Sequence, residues 1–394
     1  MTCLSCRPPG GLLYGEKATQ LAQTEGQKLW KAIQHAIELR VQMRQAEDPE
    51  YGALLNRFAV GRPSLEDLLR LNTRVISEDN VPPDGTMVAV PFNKDREQLN
   101  SIAFRRFVLA KRRLLSASQA ANMAAVPWTH IGALRVIMST QEIVHGVPQD
   151  ITSRRKKAAI MRLPESMRRR LPFFLDLILE QQFAVSHNVC VSKGVANGTS
   201  GMLTNVLLHD GAVRWSNKAG CHVVDARDVV GVVVKNLQPP FDAESHYPPL
   251  AKGHFPLQCL DSRRARGPLH LLIDGKSCHI TAELKQLPLV PVFCLTGHKT
   301  QGKTLPALIV GPPKVHAFGG KGWLYVMLSR VRKLSDLYLV EPLSTNVKRY
   351  KFREEIVKEM ARIRTERVKP TLERLAPLLG LSPSGERLTC VKFL

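Results

Sequence analysis

Apolar and polar positions alternate at helical spacing in the first part of the chain. Leu29, Ile33 and Ile37 keep a four-residue spacing, which predicts a short amphipathic helix. Ser64 begins a second helical pattern and has Asp67 three positions later, an arrangement in which the two side chains cap a helix N-terminus reciprocally. The apolar stripe of this second helix is predicted at Leu65, Leu68 and Leu69.

A strand and a longer helix are predicted next. Residues 86–90 form an apolar run that ends at Pro91, which is typical of a buried strand. Asn93 is predicted to cap the helix that follows. Its apolar face is predicted at Leu99, Ile102, Ala103 and Phe107. A strand, a turn and a helix in this order are typical of an α/β domain.

Short β-type runs replace this pattern between residues 185 and 287. Asp210-Gly211 and Asp274-Gly275 lie between apolar runs, and Asp-Gly is a strong hairpin signal because both central residues of the turn need positive φ. The region therefore predicts a small β barrel inserted in an α/β domain.

The α/β pattern resumes after this block. Strands are predicted at 292–296, 307–310 and 337–340, with a helix at 323–330 between the last two. A final amphipathic helix is predicted to pack its apolar face on the preceding domain through Phe352, Ile356, Met360 and Ile363.

The charge balance points to a polyanionic partner. The 394 residues contain 56 Lys and Arg against 34 Asp and Glu, a net charge of +22, and 44% are hydrophobic, enough for folded cores. Basic runs at 154–157 and 168–170 agree with nucleic-acid binding, although each run is also what a solvated helix face looks like. Charge indicates a class of partner and no activity.

Cysteine usage and hydropathy favour a reducing intracellular compartment without membrane insertion. Cys3 and Cys6 form a C-x-x-C pair with no second pair nearby, so we expect no zinc site or other metal site. No apolar run reaches the length of a membrane span, and no basic-then-apolar leader begins the chain.

Residues 297–304 match the phosphate-binding pattern G-x-x-x-x-G-K-T, with Lys303 as its lysine. A P-loop must open a long helix whose N-terminal N–H groups hold phosphate. Pro306 and a β-type run follow almost directly, which leaves no room for that helix. We therefore expect no P-loop here, and a nucleotide kinase built on Lys303 is the weakest of three functional interpretations.

The same residues are better explained by a resemblance to a known family. Residues 296–305, then a strand, then residues 318–331 ending in YVMLSRV resemble motifs five and six of PIF-type superfamily-one DNA helicases. Further segments resemble other elements of that family: motif four at 42–45 with 54–57 and Gly61, a strand-and-Asn element at 88–93 with Asn100, the entry to an inserted β-barrel subdomain at 183–201, and a remnant of motif three at 8–14.

The resemblance implies roles for individual residues. It places Arg44 and Arg330 at the ATP cleft, where arginines of the second RecA-like domain neutralise charge on the transferred γ-phosphate. It places Gln301 and Gly302 in the motif-five turn beside the nucleotide. The implied contacts to single-stranded DNA are Thr296, His298, Lys299, Thr300, Asn93 and Asn197.

The chain departs from the family pattern in two ways. Gly297 stands where an apolar residue is usual, and Trp323 replaces a common Gln. Moreover, nothing upstream of residue 8 supplies the phosphate-binding Lys or the acidic pair that holds Mg²⁺. We therefore expect ATP and Mg²⁺ as the cofactors of the family, yet no ATP hydrolysis by this chain alone, with a partner or a longer isoform supplying the first RecA-like domain.

The expected fold class is α/β, a RecA-like helicase domain with an inserted SH3-like β barrel. The predicted boundaries are a remnant of the first RecA-like domain at 1–28, the second RecA-like domain at 29–182 and 288–345, the insertion at 183–287, and a helical tail at 346–394. The expected activity is 5′-to-3′ DNA unwinding in repair, recombination or Helitron-type transposition, in the nucleus or alternatively the mitochondrion. The rival interpretation is a non-catalytic module that binds single-stranded nucleic acid.

Overall fold

The computed structural model describes residues 21–38, 43–165, 167–168, 170–237, 247, 249–261, 268–312, 320–352 and 354–379. The chain divides into two compact units, each with its own core. Of the described residues, those up to 91 and those from 296 onwards form unit 1, and those from 92 to 295 form unit 2.

The helices are α1 (Leu21–Ala32), α2 (Pro49–Ala59), α3 (Leu65–Asn72), α4 (Asn93–Arg113), α5 (Ala117–Ala121), α6 (Trp128–Ile131), α7 (Arg154–Arg162), α8 (Gly297–Thr300), α9 (Gly320–Leu328), α10 (Glu354–Ile363) and α11 (Lys369–Leu379). The strands are β1 (Met87–Val90), β2 (Ala133–Ile137), β3 (Ser139–Val144), β4 (Val147–Asp150), β5 (Phe174–Ile178), β6 (Gln182–Val185), β7 (Ser200–Leu208), β8 (Arg214–Ser216), β9 (Cys221–Asp225), β10 (Val229–Asn236), β11 (His254–Leu257), β12 (Leu260–Asp261), β13 (Leu269–Ile273), β14 (Lys276–Ile280), β15 (Ala282–Gln286), β16 (Leu289–Pro291), β17 (Cys294–Thr296), β18 (Leu308–Val310) and β19 (Leu337–Leu339).

Unit 1 is built on the strands β1, β18 and β19, which lie side by side in the order β1-β18-β19. Strand β18 pairs in parallel with both β1 and β19. The strands of this sheet are short runs of apolar residues, which is typical of parallel sheets because both of their faces are covered. Side chains from α2, α3 and α9 share one core with the sheet, represented by Leu55, Leu68, Leu308 and Met327. This arrangement confirms the predicted α/β class and fits a RecA-like helicase fold.

Local capping signals in unit 1 are confirmed, whereas one apolar stripe is only partly right. Ser64 Oγ accepts a hydrogen bond from Asp67 N at 3.0 Å, and Asp67 Oδ2 accepts one from Ser64 N at 2.9 Å. Leu68 is buried as predicted, but Leu65 and Leu69 are exposed, and Leu71 is buried as well. The position of the sheet determines which side of α3 is buried. The helical period alone does not specify that side.

The first helix of the structure lies closer to the N-terminus than the sequence pattern predicts. Helix α1 ends at Ala32, so Ile33 and Ile37 lie beyond it and are exposed. The indole Nε1 of Trp30 donates to Glu359 of α10 at 2.6 Å. Helix α1 runs through residue 28 and belongs to unit 1 together with the C-terminal helices, and the predicted boundary at residue 28 stays a prediction.

Helix α4 opens unit 2, and its buried face differs from the predicted one. The buried residues are Arg96, Asn100, Phe104 and Val108. Arg96 pairs with Glu165, and Asn100 Nδ2 donates to the carbonyl of Cys294 at 3.1 Å. Polar side chains occupy the inner face because distant partners satisfy them, and apolar periodicity cannot show this.

The rest of unit 2 is largely β structure. It contains a five-stranded sheet of order β11-β10-β7-β6-β16, the four-stranded sheets β12-β15-β3-β4 and β5-β2-β9-β8, and the hairpin β13-β14. Strand β2 pairs in parallel with β9, so a boundary at residue 183 would cut through one sheet. The compact unit extends from Phe92 to Leu295, and the predicted insertion at 183–287 stays a prediction. An SH3-like barrel within it stays a prediction.

The two Asp-Gly signals have different outcomes. Asp274 and Gly275 both have positive φ, 50° and 76°, and join β13 to β14 as predicted. Gly211 has positive φ, but strand β7 before it pairs with β6 and β10, whereas β8 after it pairs with β9. The hairpin predicted at Asp210-Gly211 is therefore wrong.

Within the described residues, no helix combines the length and the apolar character needed to cross a bilayer.

Candidate anion-binding site

Two arginines from distant parts of the sequence meet in unit 1. Arg44 lies in the turn before α2, and Arg330 lies in the turn after α9. The Nη1 atom of Arg44 donates to the carbonyl of Ser329 at 2.8 Å, and its Nε donates to Thr304 Oγ1 at 3.0 Å. Arg44 thus links the turn between α8 and β18 to the end of α9.

Arg330 is a buried cation without an acidic partner among the described residues. Its residue surface is 4% exposed. Nε donates to the Val326 carbonyl at 2.8 Å, Nη2 to Ser329 Oγ at 2.8 Å and Nη1 to the Lys303 carbonyl at 3.4 Å. Three of the five guanidinium N–H groups are thereby used, and none meets a carboxylate in the described part of the chain.

Burial and the neighbouring arginine both act against the charge of Arg330. Burial lowers its pKa to about 10, with a further lowering from the positive charge of Arg44 and a small opposing effect of Tyr325. The side chain still carries its charge at neutral pH. A buried cation beside a second cation is costly unless an anion compensates it, so this arrangement favours binding of an anion.

Three further side chains hold the turn before α2 against the end of α9. Tyr51 Oη donates to the Leu328 carbonyl at 2.6 Å, and Gln45 Nε2 donates to the Val331 carbonyl at 2.7 Å. Asp48 Oδ2 accepts from Leu334 N at 3.0 Å. The motif resemblance identified Arg44 as a site residue but assigned no role to these three side chains. Each of them bonds to a backbone atom, and such a bond requires no particular residue type at the partner position in the sequence.

The predicted DNA contacts in β17 and α8 differ in their exposure. Thr300 is 0% exposed, and its Oγ1 donates to the Gly297 carbonyl at 2.8 Å. Thr296 is also buried. The contacts of Thr296 and Thr300 with DNA stay predictions. Lys299 is half-buried, and the side chain of His298 lies outside the described residues.

The turn after α8 shows why position 302 carries a glycine. Gly302 has a φ of +79°, and a Cβ atom there would meet nothing within 4 Å. The left-handed conformation is therefore what requires glycine. Gln301 is half-buried in the same turn.

The structure also confirms that residues 297–304 do not form a P-loop. Helix α8 has four residues and is followed by the Gln301–Gly302 turn and then by β18. Lys303 is half-buried, and burial lowers its pKa. Without a long helix there is no row of N-terminal N–H groups to hold a triphosphate.

Two predicted DNA contacts, Asn93 and Asn197, lie in unit 2. Asn93 is the first residue of α4 rather than its cap, and its Oδ1 accepts from Arg96 Nη1 at 3.2 Å. Asn197 is exposed, and its backbone N donates to Asn188 Oδ1 at 2.9 Å. Both asparagines belong to the β-rich unit and not to the arginine site.

No protein-family model and no curated protein matches the chain. Solved structures do. A Pif1 structure that concerns DNA unwinding at forked double-stranded DNA aligns with 89% of this chain at 15% identity and a TM-score of 0.50. The chain has the fold of a Pif1-type helicase. Pif1 from Candida albicans aligns with 83% of the chain at 16% identity and a TM-score of 0.49, and Bacteroides Pif1 bound to single-stranded DNA with 93% at 15% and 0.47.

The chain spans 63%, 60% and 66% of the lengths of these three Pif1 proteins. Among its described residues, no cluster of three or more His, Cys, Asp or Glu side chains is placed to hold a metal ion.

Proposed function

We propose that unit 1 is the second RecA-like lobe of an ATP-dependent DNA helicase, and that Arg44 and Arg330 bind the outer phosphate of ATP. The observation that carries this proposal is the burial of Arg330 without a carboxylate partner in the described chain. Arg44 comes from a distant segment and lies beside it, donating to the carbonyl of Ser329, as the resemblance to motifs four and six implies.

The site fits a phosphate group better than it fits Mg²⁺. Guanidinium groups bind phosphate oxygens through paired N–H donors and keep their charge at neutral pH. Both arginines retain unused donors, whereas no described carboxylate contacts either of them. Arg44 and Arg330 would neutralise charge on the γ-phosphate, and the groups that hold Mg²⁺ would belong to a first lobe.

That first lobe is proposed to come from a partner or from a longer product of the same gene. Residues 1–28 remain a proposed remnant of it. ATP-binding helicases of this kind place the nucleotide between two lobes, so the chain alone is expected to hydrolyse no ATP and to bind single-stranded DNA weakly. The resemblance further predicts 5′-to-3′ movement and a nuclear location.

Phosphate recognition is tested with tripolyphosphate and isothermal titration calorimetry on the intact chain. Arg44→Ala and Arg330→Lys are each expected to weaken binding about 10-fold, because the first removes a cation and the second removes the planar fork. Arg70→Ala is the matched control, since Arg70 is an exposed arginine of the same unit paired with Glu50. Equal affinities for all four proteins would refute the phosphate site.

A second measurement separates the helicase lobe from the non-catalytic module. The chain is titrated with single-stranded DNA, and its ATPase is measured with and without that DNA. DNA-stimulated ATP hydrolysis that disappears in Arg330→Ala would contradict the proposed need for a first lobe. DNA binding combined with no tripolyphosphate binding would support the non-catalytic module instead.

A further inference from the structure

The second half of α4 has an unusual concentration of positive charge on its solvent side. Arg105, Arg106, Lys111, Arg112 and Arg113 are all exposed. The helix contains no acidic residue after Glu97. This cationic segment, residues 105–113 of α4, lies entirely within unit 2.

Acidic side chains of the described chain do not form ion pairs with this segment. Arg112 Nη2 donates to the Ala120 carbonyl at 2.8 Å, and Lys111 Nζ lies 5.5 Å from the ring centroid of Phe107. Arg105 influences Asp176 electrostatically, but Asp176 is hydrogen-bonded to Arg135. The segment therefore presents net positive charge to solvent.

Helix stability explains only part of this charge. Cations in the last turn interact favourably with the helix dipole, which accounts for Lys111, Arg112 and Arg113. The dipole effect is confined to that turn, and Arg105 and Arg106 lie earlier in the helix. No acidic residue lies three or four positions from either arginine, so no ion pair within the helix accounts for them and a binding role is the better explanation.

The charges are arranged along one side of the helix. At 3.6 residues per turn, Arg105, Arg106 and Arg113 project away from the face on which Phe104 and Val108 are buried. Residues 105 and 113 are separated by about 12 Å along the axis. Duplex DNA presents about seven phosphate charges over that length, so the segment matches a rigid row of phosphates.

The apolar residues on this face of α4 indicate whether it is suited to duplex or to single-stranded nucleic acid. Ile102, Leu109 and Leu114 are its exposed apolar side chains, and all three are aliphatic. Phe107 is half-buried and lies beneath Lys111. Proteins that hold single strands combine cations with aromatic side chains on which bases stack, and this face presents no exposed aromatic ring.

We propose that the cationic segment of α4 binds the phosphate backbone of duplex nucleic acid without sequence preference. The inference goes beyond the proposed single-strand binding, because it assigns a different partner to the second half of α4. Contacts of this kind position a protein on the duplex and carry no base information.

The test compares the intact chain with the triple variant Arg105→Gln, Arg106→Gln, Arg113→Gln. Glutamine keeps the helix propensity and removes the charge. The control variant Arg214→Gln, Lys218→Gln, Lys252→Gln removes three exposed cations from the same unit. Affinities for a short duplex, a single strand of the same sequence and anionic vesicles are measured across a salt series, and circular dichroism checks folding.

The α4 variant is expected to bind the duplex roughly 10-fold more weakly at moderate salt, with the slope of log affinity against log salt reduced by roughly 2 to 3. The control should retain most of the affinity, and single-strand binding should change little. Equal loss in both variants, loss confined to the single strand or loss confined to vesicles would each overturn the proposal. A wild-type chain that binds duplex but no single strand would instead count against the proposed helicase lobe.

Discussion

Trp323 occupies the space that a side chain at Gly297 would need. A Cβ atom at Gly297 would lie 2.2 Å from Trp323 Nε1, 2.6 Å from its Cδ1 and 2.9 Å from Met327 Cε. The two departures from the helicase motifs are therefore one packing solution, in which a missing side chain on α8 accommodates a larger one on α9. The indole N–H has no hydrogen-bond partner in the described chain, which fits a role in packing.

Gly297→Ala is expected to lower the free energy of unfolding by about 1–3 kcal/mol, because the added methyl group forces the indole to move. Urea denaturation measures the change. Gly52→Ala is the control: its Cβ would lie 3.5 Å from Gln45 Cβ, an ordinary contact, and alanine favours the helix. Trp323→Leu should restore part of the loss in the Gly297→Ala background. Unchanged stability of Gly297→Ala would show that the packing is looser than described.

Tyr51→Phe is expected to destabilise unit 1 by about 1–2 kcal/mol, because the buried Leu328 carbonyl loses its hydroxyl donor. Burial raises the pKa of Tyr51, so the hydroxyl stays protonated over the accessible pH range. Tyr338→Phe serves for comparison, since no hydrogen bond of its hydroxyl occurs within the described chain and its ring lies beneath Arg74. Thermal unfolding of both variants would expose the difference, and equal melting temperatures would argue against the Tyr51 bond.

Arg135→Ala is expected to destabilise unit 2 by about 3–5 kcal/mol, because it leaves a buried carboxylate without its partner. Arg135 Nε and Nη2 donate to the two oxygens of Asp176 at 2.6 and 2.9 Å. Arg227→Ala breaks an exposed pair with Asp150 and should cost less than about 1 kcal/mol. Chemical denaturation of the two variants gives the comparison. Similar losses would mean that burial does not decide the strength of these pairs.

Glu97 is expected to make unit 2 less stable as the pH rises from about 4.5 to about 7. Burial and the neighbouring Glu165 raise the pKa of Glu97 to about 7, against the opposing effects of Arg168 and Arg96. Because the folded state holds this proton where the unfolded state has released it, stability falls through that interval. With 40% of the side chain exposed, solvent screening reduces the effect to roughly 1 kcal/mol.

Glu97→Gln should flatten this pH dependence, whereas Glu78→Gln, at an exposed position in unit 1, should leave it unchanged. The midpoint of urea denaturation is followed from pH 4 to pH 8 for all three proteins. A wild-type midpoint that does not fall relative to that of Glu97→Gln would mean that Glu97 titrates as an ordinary surface carboxyl.

Local signals were predictable where neighbouring residues determine the conformation. The capping pair Ser64 and Asp67 and the Asp274-Gly275 turn depend on backbone geometry within a few residues, and both are present. The face of α4 was not predictable, because Arg96 and Asn100 are buried only through Glu165 and Cys294, which lie far along the chain. The motif resemblance identified Arg44 and Arg330 as candidates.

The sequence by itself determined the alternation of helices and strands, the positive charge and the residue types of the proposed phosphate-binding pair, since these depend on side-chain chemistry and short spacings. Only the tertiary structure decided that Arg44 reaches Ser329, 285 residues away, that Arg330 is buried without a described acid, and that Thr300 faces the core. Burial and charge compensation depend on which distant segments pack together, and that is a property of the folded chain.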